Sequence, residues 1–236
     1  MEREQNRILA IGIFLGLVLL GYLLAGAAID VKEYERTVTV KGLSEREVPA
    51  DIVIWPITFT GAENDLQQLY LGMEKHVDKI RAFLTLKGIA EDAISINPPL
   101  VTDKSAQQWG GGQKAEFRYT ASQTVTVYSS EIETVRNAMQ AISELGKEGV
   151  VFGGNAYENQ PDYQFNGLND LKPAMVEEAT KNARSVAQKF ARDSDSQLGK
   201  IRRASQGQFS ISDRDRNTPF IKKVRVVSTI EYYLVD

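Results

Sequence analysis

Residues 51–87, DIVIWPITFTGAENDLQQLYLGMEKHVDKIRAFLTLK, decide the fold class. The first ten are rich in β-branched and aromatic side chains and read as a strand. Pro56 in their middle has no N–H to give to a ladder, so the strand has an edge or a bulge there. Past Asn64 the period changes. Leu66, Leu69, Tyr70, Met73, Val77, Ile80 and Leu84 recur in steps of three and four, which marks one face of a helix. Asn64 or Asp65 can cap it, and Gly88 stands where a left-handed terminal residue is wanted.

The same alternation continues on both sides. Upstream, Thr37–Val40 predicts a short strand ending at Lys41-Gly42. Downstream, ISINPPLV over 94–101 is a strand interrupted by Pro98-Pro99. A polar loop with Trp109 and Gly110-Gly111-Gly112 then leads into Phe117–Tyr128, where Phe117, Tyr119, Ala121, Gln123, Val125 and Val127 share a face. The pair reads as a long hairpin with a flexible tip. Ser130-x-x-Glu133 predicts a capping box, followed by a helix stripe of Ile132, Val135, Met139, Ile142 and Leu145 that stops at Gly146. Val150–Tyr157 is a further strand. A third helix should begin near Asp170, hold Pro173 in its first turn and run to about Arg192, with Leu171, Met175, Ala179, Ala183, Val186 and Phe190 inward. Ile201–Ser210 and Lys222–Val235 close the chain as strands. In the last, Val224, Val226, Ser228, Ile230, Tyr232 and Leu234 share a face. The expected fold is α+β, a mostly antiparallel sheet with three helices packed on it.

Ahead of this body, residues 8–29 read ILAIGIFLGLVLLGYLLAGAAI without a charge. At ~1.5 Å per residue the run spans about 33 Å, enough for a ~30 Å hydrocarbon core. The chain therefore divides into a short tail (1–7), a transmembrane signal anchor (8–29) and an extracytoplasmic body (30–236). Ala25-Gly26-Ala27 also has the small-x-small form of a cleavage site. The apolar run before it is longer than the ~7–15 residues of a cleaved segment, which makes an uncleaved anchor the better fit. The flanking charges leave orientation undecided, but long domains translocate largely regardless of them. The expected place is the inner membrane, single-pass, with the body in the periplasm.

Composition narrows the function. The chain is 42% hydrophobic and 25% charged, ordinary for a protein that buries a core. It has no cysteine, which excludes disulfides, thiolate metal sites and a Cys nucleophile. Its net charge of −3 gives no basic excess for nucleic acid. Lys200, Arg202 and Arg203, and Lys222, Lys223 and Arg225, fit solvated strand faces and edge protection. His76 is the only histidine and lies at the boundary of the first body helix's apolar face, so no ordinary zinc site or catalytic triad can be built around it. Asp193-Ser-Asp-Ser196 reads as a frayed helix end and Asp213-Arg-Asp215 as a solvated loop, since neither matches a calcium loop. Gly110–Gly112 lies between strands, unlike a phosphate-binding loop between strand and helix. No catalytic, metal or cofactor residue is assigned, and no cofactor is expected.

Three segments together resemble the SIMPL domain family. They are Val38–Asp51 (VTVKGLSEREVPAD) before an apolar strand, Leu86–Ser95 (LKGIAEDAIS), and the Ala/Lys/Arg helix Met175–Ala191 followed by Leu198-Gly-Lys-Ile201. The resemblance covers about 37–235. Asp193-Ser-Asp-Ser-Gln197 departs from the small-residue turn common after the family's third helix. The resemblance implies an extracytoplasmic α+β protein without known catalytic residues, with links among relatives to stress tolerance and envelope function, and with ring assembly as a family possibility.

Three functions follow as expectations. The first is a membrane-tethered, self-associating structural or interaction module of the envelope, a homo-oligomer bound to the membrane through residues 8–29 and not an enzyme. The second is a ligand- or peptide-binding domain using Trp109 and Tyr119. The third is a carboxylate-dependent envelope hydrolase. Strand interruptions at Pro56 and Pro98-Pro99 motivate self-association, because unpaired backbone groups must be covered.

Overall fold

The structure, a computed structural model, describes residues 2–33, 36–106, 116–154 and 159–235, with side chains in the first segment given over 11–27. The elements are α1 (Glu2–Glu33), β1 (Thr37–Pro49), β2 (Ile52–Glu63), α2 (Leu66–Leu86), β3 (Ile94–Ile96), β4 (Leu100–Asp103), β5 (Tyr119–Ser129), α3 (Ile132–Gln140), α4 (Ser143–Lys147), β6 (Val151–Phe152), β7 (Asp162–Gln164), α5 (Leu168–Asp193), β8 (Gln197–Gln206), β9 (Ser210–Asp213) and β10 (Ile221–Val235). They form a four-stranded and a six-stranded sheet and gather into two compact units. One is Met1–Arg46, Leu171–Ser210 and Arg225–Asp236. The other is Glu47–Asp170 and Ile211–Val224.

In the second unit β2 and β5 pair antiparallel in register from Val53↔Ser129 to Glu63↔Tyr119. The predicted hairpin exists, because β3 and β4 both run antiparallel to β5. Its tip, with Trp109 and Gly110–Gly112, lies outside the described residues. Val53, Trp55, Ile57 and Phe59 alternate into a core with Ala121, Val125 and Val127. Leu69, Met73, Ile80, Phe83 and Leu84 of α2, Val135 and Ala138 of α3, and Leu145 of α4 close it. Each large aliphatic or aromatic side chain fully buried there contributes roughly 1.5–3 kcal/mol.

Both proline interruptions are closed from within. Pro56 occupies the gap between β7, which pairs with Ile52–Ile54, and β6, which pairs with Phe59 and Thr60. Across that gap Asn159 accepts from the Thr58 N–H through Oδ1 (3.2 Å) and donates to the Gly153 carbonyl through Nδ2 (2.6 Å). At Pro98-Pro99, the buried Gln123 donates to the Asn97 carbonyl at 2.7 Å. Among the described residues, backbone groups beside both prolines thus find partners within the chain.

Several local readings need correction. Four helices belong to the body, not three, because the expected helix after β5 breaks into α3 and α4. Its bonds tighten at Ala141 and Ile142, which donate to Ala138 and Met139, three residues back. Gly146 is inside α4, which ends at Lys147; Gly149 just beyond is left-handed (φ +88°), and the Val150 N–H reaches back to the Leu145 carbonyl. No capping box forms. Ser129 Oγ accepts from the Glu131 N–H, and Glu133 pairs with Arg136. Gly88 is left-handed as expected (φ +88°), and Asp65 rather than Asn64 caps α2 by accepting from the Gln68 N–H at 2.9 Å. Leu66 and Tyr70 are exposed, and Phe83 takes an inward place. Of the strand expected over Val150–Tyr157, Val151–Phe152 form β6 and Gly153-Gly154 leave it, while residues 155–157 lie outside the described residues.

In the first unit the sheet order is β1-β10-β8. The Leu234 N–H donates to the Arg36 carbonyl at one end of β1, and Arg225 reaches Glu45 at the other, so β1 and β10 run antiparallel. β8 is antiparallel to β10, from Ser228↔Gln206 to Val235↔Gln197. The strand predicted over Thr37–Val40 does not stop at Gly42 but continues to Pro49. At Gly42 the helix α5 lies directly on it. A Cβ there would overlap the Ala179 carbonyl oxygen and stand 2.5 Å from the Ala183 nitrogen. The buried stripe of α5 is Met175, Ala179, Ala183, Ala187 and Ala191, so the predicted inward places of Val186 and Phe190 belong to Ala187 and Ala191. Pro173 stands one turn later than expected, because α5 begins at Leu168. The end of α5 is a made turn, not a frayed one. Asp195 is left-handed (φ +50°), the Ser196 N–H donates to the Ala191 carbonyl, and Ser196 Oγ accepts from Arg36 at 2.9 Å.

Among the described residues no helix is long and apolar enough to cross a membrane. The side chains described in α1, residues 11–27, span about 26 Å, short of the ~30 Å core. The remainder of the predicted 8–29 span lies outside the described side chains.

Gly42→Ala should destabilise the protein by about 3 kcal/mol, because the obstacle is backbone and cannot rotate away. Denaturant unfolding of the full chain in mild detergent measures it. Asn159→Ala should cost roughly 1–2 kcal/mol by orphaning the Thr58 N–H.

Candidate functional site

His76 sits on α2, half-buried, with its ring edge-on to Phe59 at 6.0 Å between centroids. Nδ1 is buried and has no hydrogen-bond partner among the described residues. Burial, and then the nearby Lys79 charge, push its pKa below 6.5, so the ring is neutral at pH 7. Among the described residues no group of three or more acidic or histidine side chains is placed to hold a metal ion.

The carboxylates with shifted pKa values are held as acceptors. Asp103 receives Arg118 through Nε and Nη2, the latter at 2.9 Å, and Ser105 through Oγ and N. These bonds hold its carboxyl down at about 2. Arg118 also lies over the Tyr119 ring at 4.8 Å and completes a clamp at the base of the β4–β5 hairpin. Asp215 is held at about 2 by Thr218, Arg214 and the Asn217 N–H, which makes the predicted loop a tight turn. Lys181 lowers Glu177. A general acid for hydrolysis needs its pKa raised, and these shifts run the other way.

Among the described residues, several surfaces are open. On the second unit, a trough of about 610 Å³ lies over β4, β5 and β2, with hydroxyls of Thr60, Thr102, Thr120 and Ser122 in its wall. On the first unit, β8 is a sheet edge with residues 200–206 exposed. The opposite edge, β1, carries a different surface. On the α5 flank above it, Glu178 accepts from Ser44 and Arg46, and Asn182 donates to the Leu43 carbonyl at 2.8 Å. Val186 and Phe190 continue that flank one and two turns on and are 39% and 56% exposed.

Sequence reasoning placed His76 at the boundary of the helix's apolar face, and it is half-buried there. Of the aromatic pair offered for binding, Trp109 lies outside the described residues and Tyr119 is half-covered beneath Arg118. The trough hydroxyls went unread, although their signal is plain in YTASQTVTV, a hydroxyl at every second position from Thr120 to Thr126.

An α+β protein of antiparallel sheets is the class these observations define. The family model described as SIMPL, protein of unknown function (DUF541), matches residues 38–229, and the chain belongs to that family. No curated protein matches the sequence.

The His76 titration followed by NMR should have its midpoint below 6.5. The neutral ring is favoured in the folded state, so the linked stability is in place above about pH 6.5 and is lost as pH falls through the lowered folded value. His76→Ala should cost about 1 kcal/mol or less, because the lost Phe59 contact is offset by removal of a buried orphan nitrogen. A larger loss in unfolding experiments would give His76 a role this packing does not explain.

Proposed function

We propose that the chain is a membrane-tethered, extracytoplasmic SIMPL protein that self-associates as a structural and interaction module of the cell envelope. Envelope stress tolerance is the process the family resemblance suggests. The observation that carries the reading is the β8 edge. A ten-residue strand with one neighbour and both faces largely exposed is a template for another strand. Lys200, Arg202 and Arg203 on β8 repel a second β8 paired alongside. The complementary partner is the other edge of the same sheet in a second copy, β1, where Val186 and Phe190 offer apolar cover for the exposed Ile201. Such a contact joins different surfaces on the two copies, so it closes into a ring or grows into a filament according to its rotation.

The membrane tether is supported by α1. Ile11, Phe14, Leu17, Leu20, Leu23 and Leu24 are all more than half exposed, a continuous apolar surface of a kind that marks a membrane or protein contact. Anchoring confines copies to a plane and raises their effective concentration.

Native mass measurement of the full chain in mild detergent should give a defined oligomer. Ile201→Lys and Phe190→Asp, both at exposed positions, should each shift it towards monomer with an unchanged melting curve. A monomer at tens of micromolar in the unaltered protein would sink the reading.

A further inference from the structure

We propose that the open face of the six-stranded sheet binds a neutral, polyhydroxylated ligand, a segment of uncharged glycan. The inference concerns the second unit alone and does not depend on self-association. Successive side chains of a strand alternate between faces, so Thr120, Ser122, Thr124 and Thr126 of β5 share the face turned away from α2 and α3. The register sets Thr60 and Leu100 on either side of Ser122, Thr58 beside Thr124, and Thr102 beside Thr120. The result is a lattice of hydroxyls spaced ~4.8 Å across the strands and roughly 6.7 Å along them.

Thr58 and Thr124 satisfy each other at 3.0 Å. Among the described residues, the side-chain hydroxyls of Thr60, Thr102, Thr120 and Ser122 make no hydrogen bond, and all four face the trough. Its rim is aliphatic, with Leu100 74% and Val151 61% exposed. At about 610 Å³ it falls within the ~300–1,000 Å³ common for small-ligand sites.

The chemistry of the wall selects the ligand. Among the described residues that line it, the only ionisable side chain is His76, contributed by α2 and held neutral by burial, so none of them gives an anion or a cation a counter-charge. A purely apolar ligand would strip water from four hydroxyls and return no hydrogen bond, at roughly 1–3 kcal/mol for each group left unpaired. An extended peptide binds along a free strand edge, and the strand that carries Thr120 and Ser122, β5, lies between β2 and β4 with its ladder taken on both sides, so a peptide added at the outer edge of β4 would not lie over these hydroxyls. A sugar ring supplies what remains. Its hydroxyls donate and accept as the threonines do, and its C–H faces pack on Leu100 and Val151.

The test is saturation-transfer NMR and calorimetry on the full chain, in a detergent without a sugar headgroup. Maltohexaose, cellohexaose and chitohexaose are the neutral probes and hexagalacturonate is the anionic control. Saturable binding of at least one neutral probe, at a Kd of about 1 mM or tighter, is expected. The Thr120→Val/Ser122→Ala variant should weaken it at least tenfold, while Thr120→Ser keeps it. Leu100→Lys, at an exposed position that cannot disturb the core, should also weaken it. Absence of binding by all three neutral probes would overturn the proposal. So would binding that survives both the hydroxyl removal and Leu100→Lys, or tighter binding of hexagalacturonate.

Discussion

The first unit depends on one close approach, the backbone of α5 resting on the backbone of β1 at Gly42. Nothing larger than hydrogen fits at that position, and the helix answers with alanine at 179, 183, 187 and 191. A four-residue spacing keeps these alanines on one line, so the helix lies flat along the sheet. Once it is seated, Val40, Ile230 and Tyr232 are covered and Leu198 is partly covered. The flank bearing Glu178 and Asn182 then meets Ser44, Arg46 and the Leu43 carbonyl. The same placement turns Val186 and Phe190 outward beside the β1 edge. The tight contact that builds the unit thus also shapes its exposed surface.

The second unit meets a different constraint. Its sheet is assembled from short strands around two long ones, and prolines interrupt the pairing at two places. A buried or half-buried backbone group without a partner costs about as much as a lost hydrogen bond. Asn159 and Gln123 meet this need with side-chain amides, each standing in for a missing piece of strand. In the other sheet β8 is an edge strand and contains no proline.

The titratable groups with shifted pKa values are tied into the local structure. Asp103 and Asp215 are held low by several donors each, as residues that lock turns are. His76 is kept neutral and packed against Phe59. The β8 edge and the hydroxyl-lined face of β5 both present hydrogen-bonding groups.

The strand-then-helix period of residues 51–87, the alternation in Phe117–Tyr128 and in Lys222–Val235, and the family resemblance were legible without coordinates. Each rests on local periodicity or on short ordered motifs. The break between α3 and α4 was not legible, because Ile142 and Leu145 keep a helical spacing while the hydrogen bonds slip from four residues to three. Nor was the inward face of α5. Val186 and Phe190 are the more apolar choice, yet Ala187 and Ala191 are buried, because the distance between helix and strand is set at Gly42. The hydroxyls of Thr60, Thr102, Thr120 and Ser122 are scattered over three segments of the sequence and become one surface only when β2, β4 and β5 pair in register. The sequence by itself determined the main strand and helix segments, and the lack of cysteine excluded disulfides and thiol chemistry. Tertiary structure alone decided which side chains face inward and which edges stay open, because those depend on backbone distances and strand register between segments far apart in the chain.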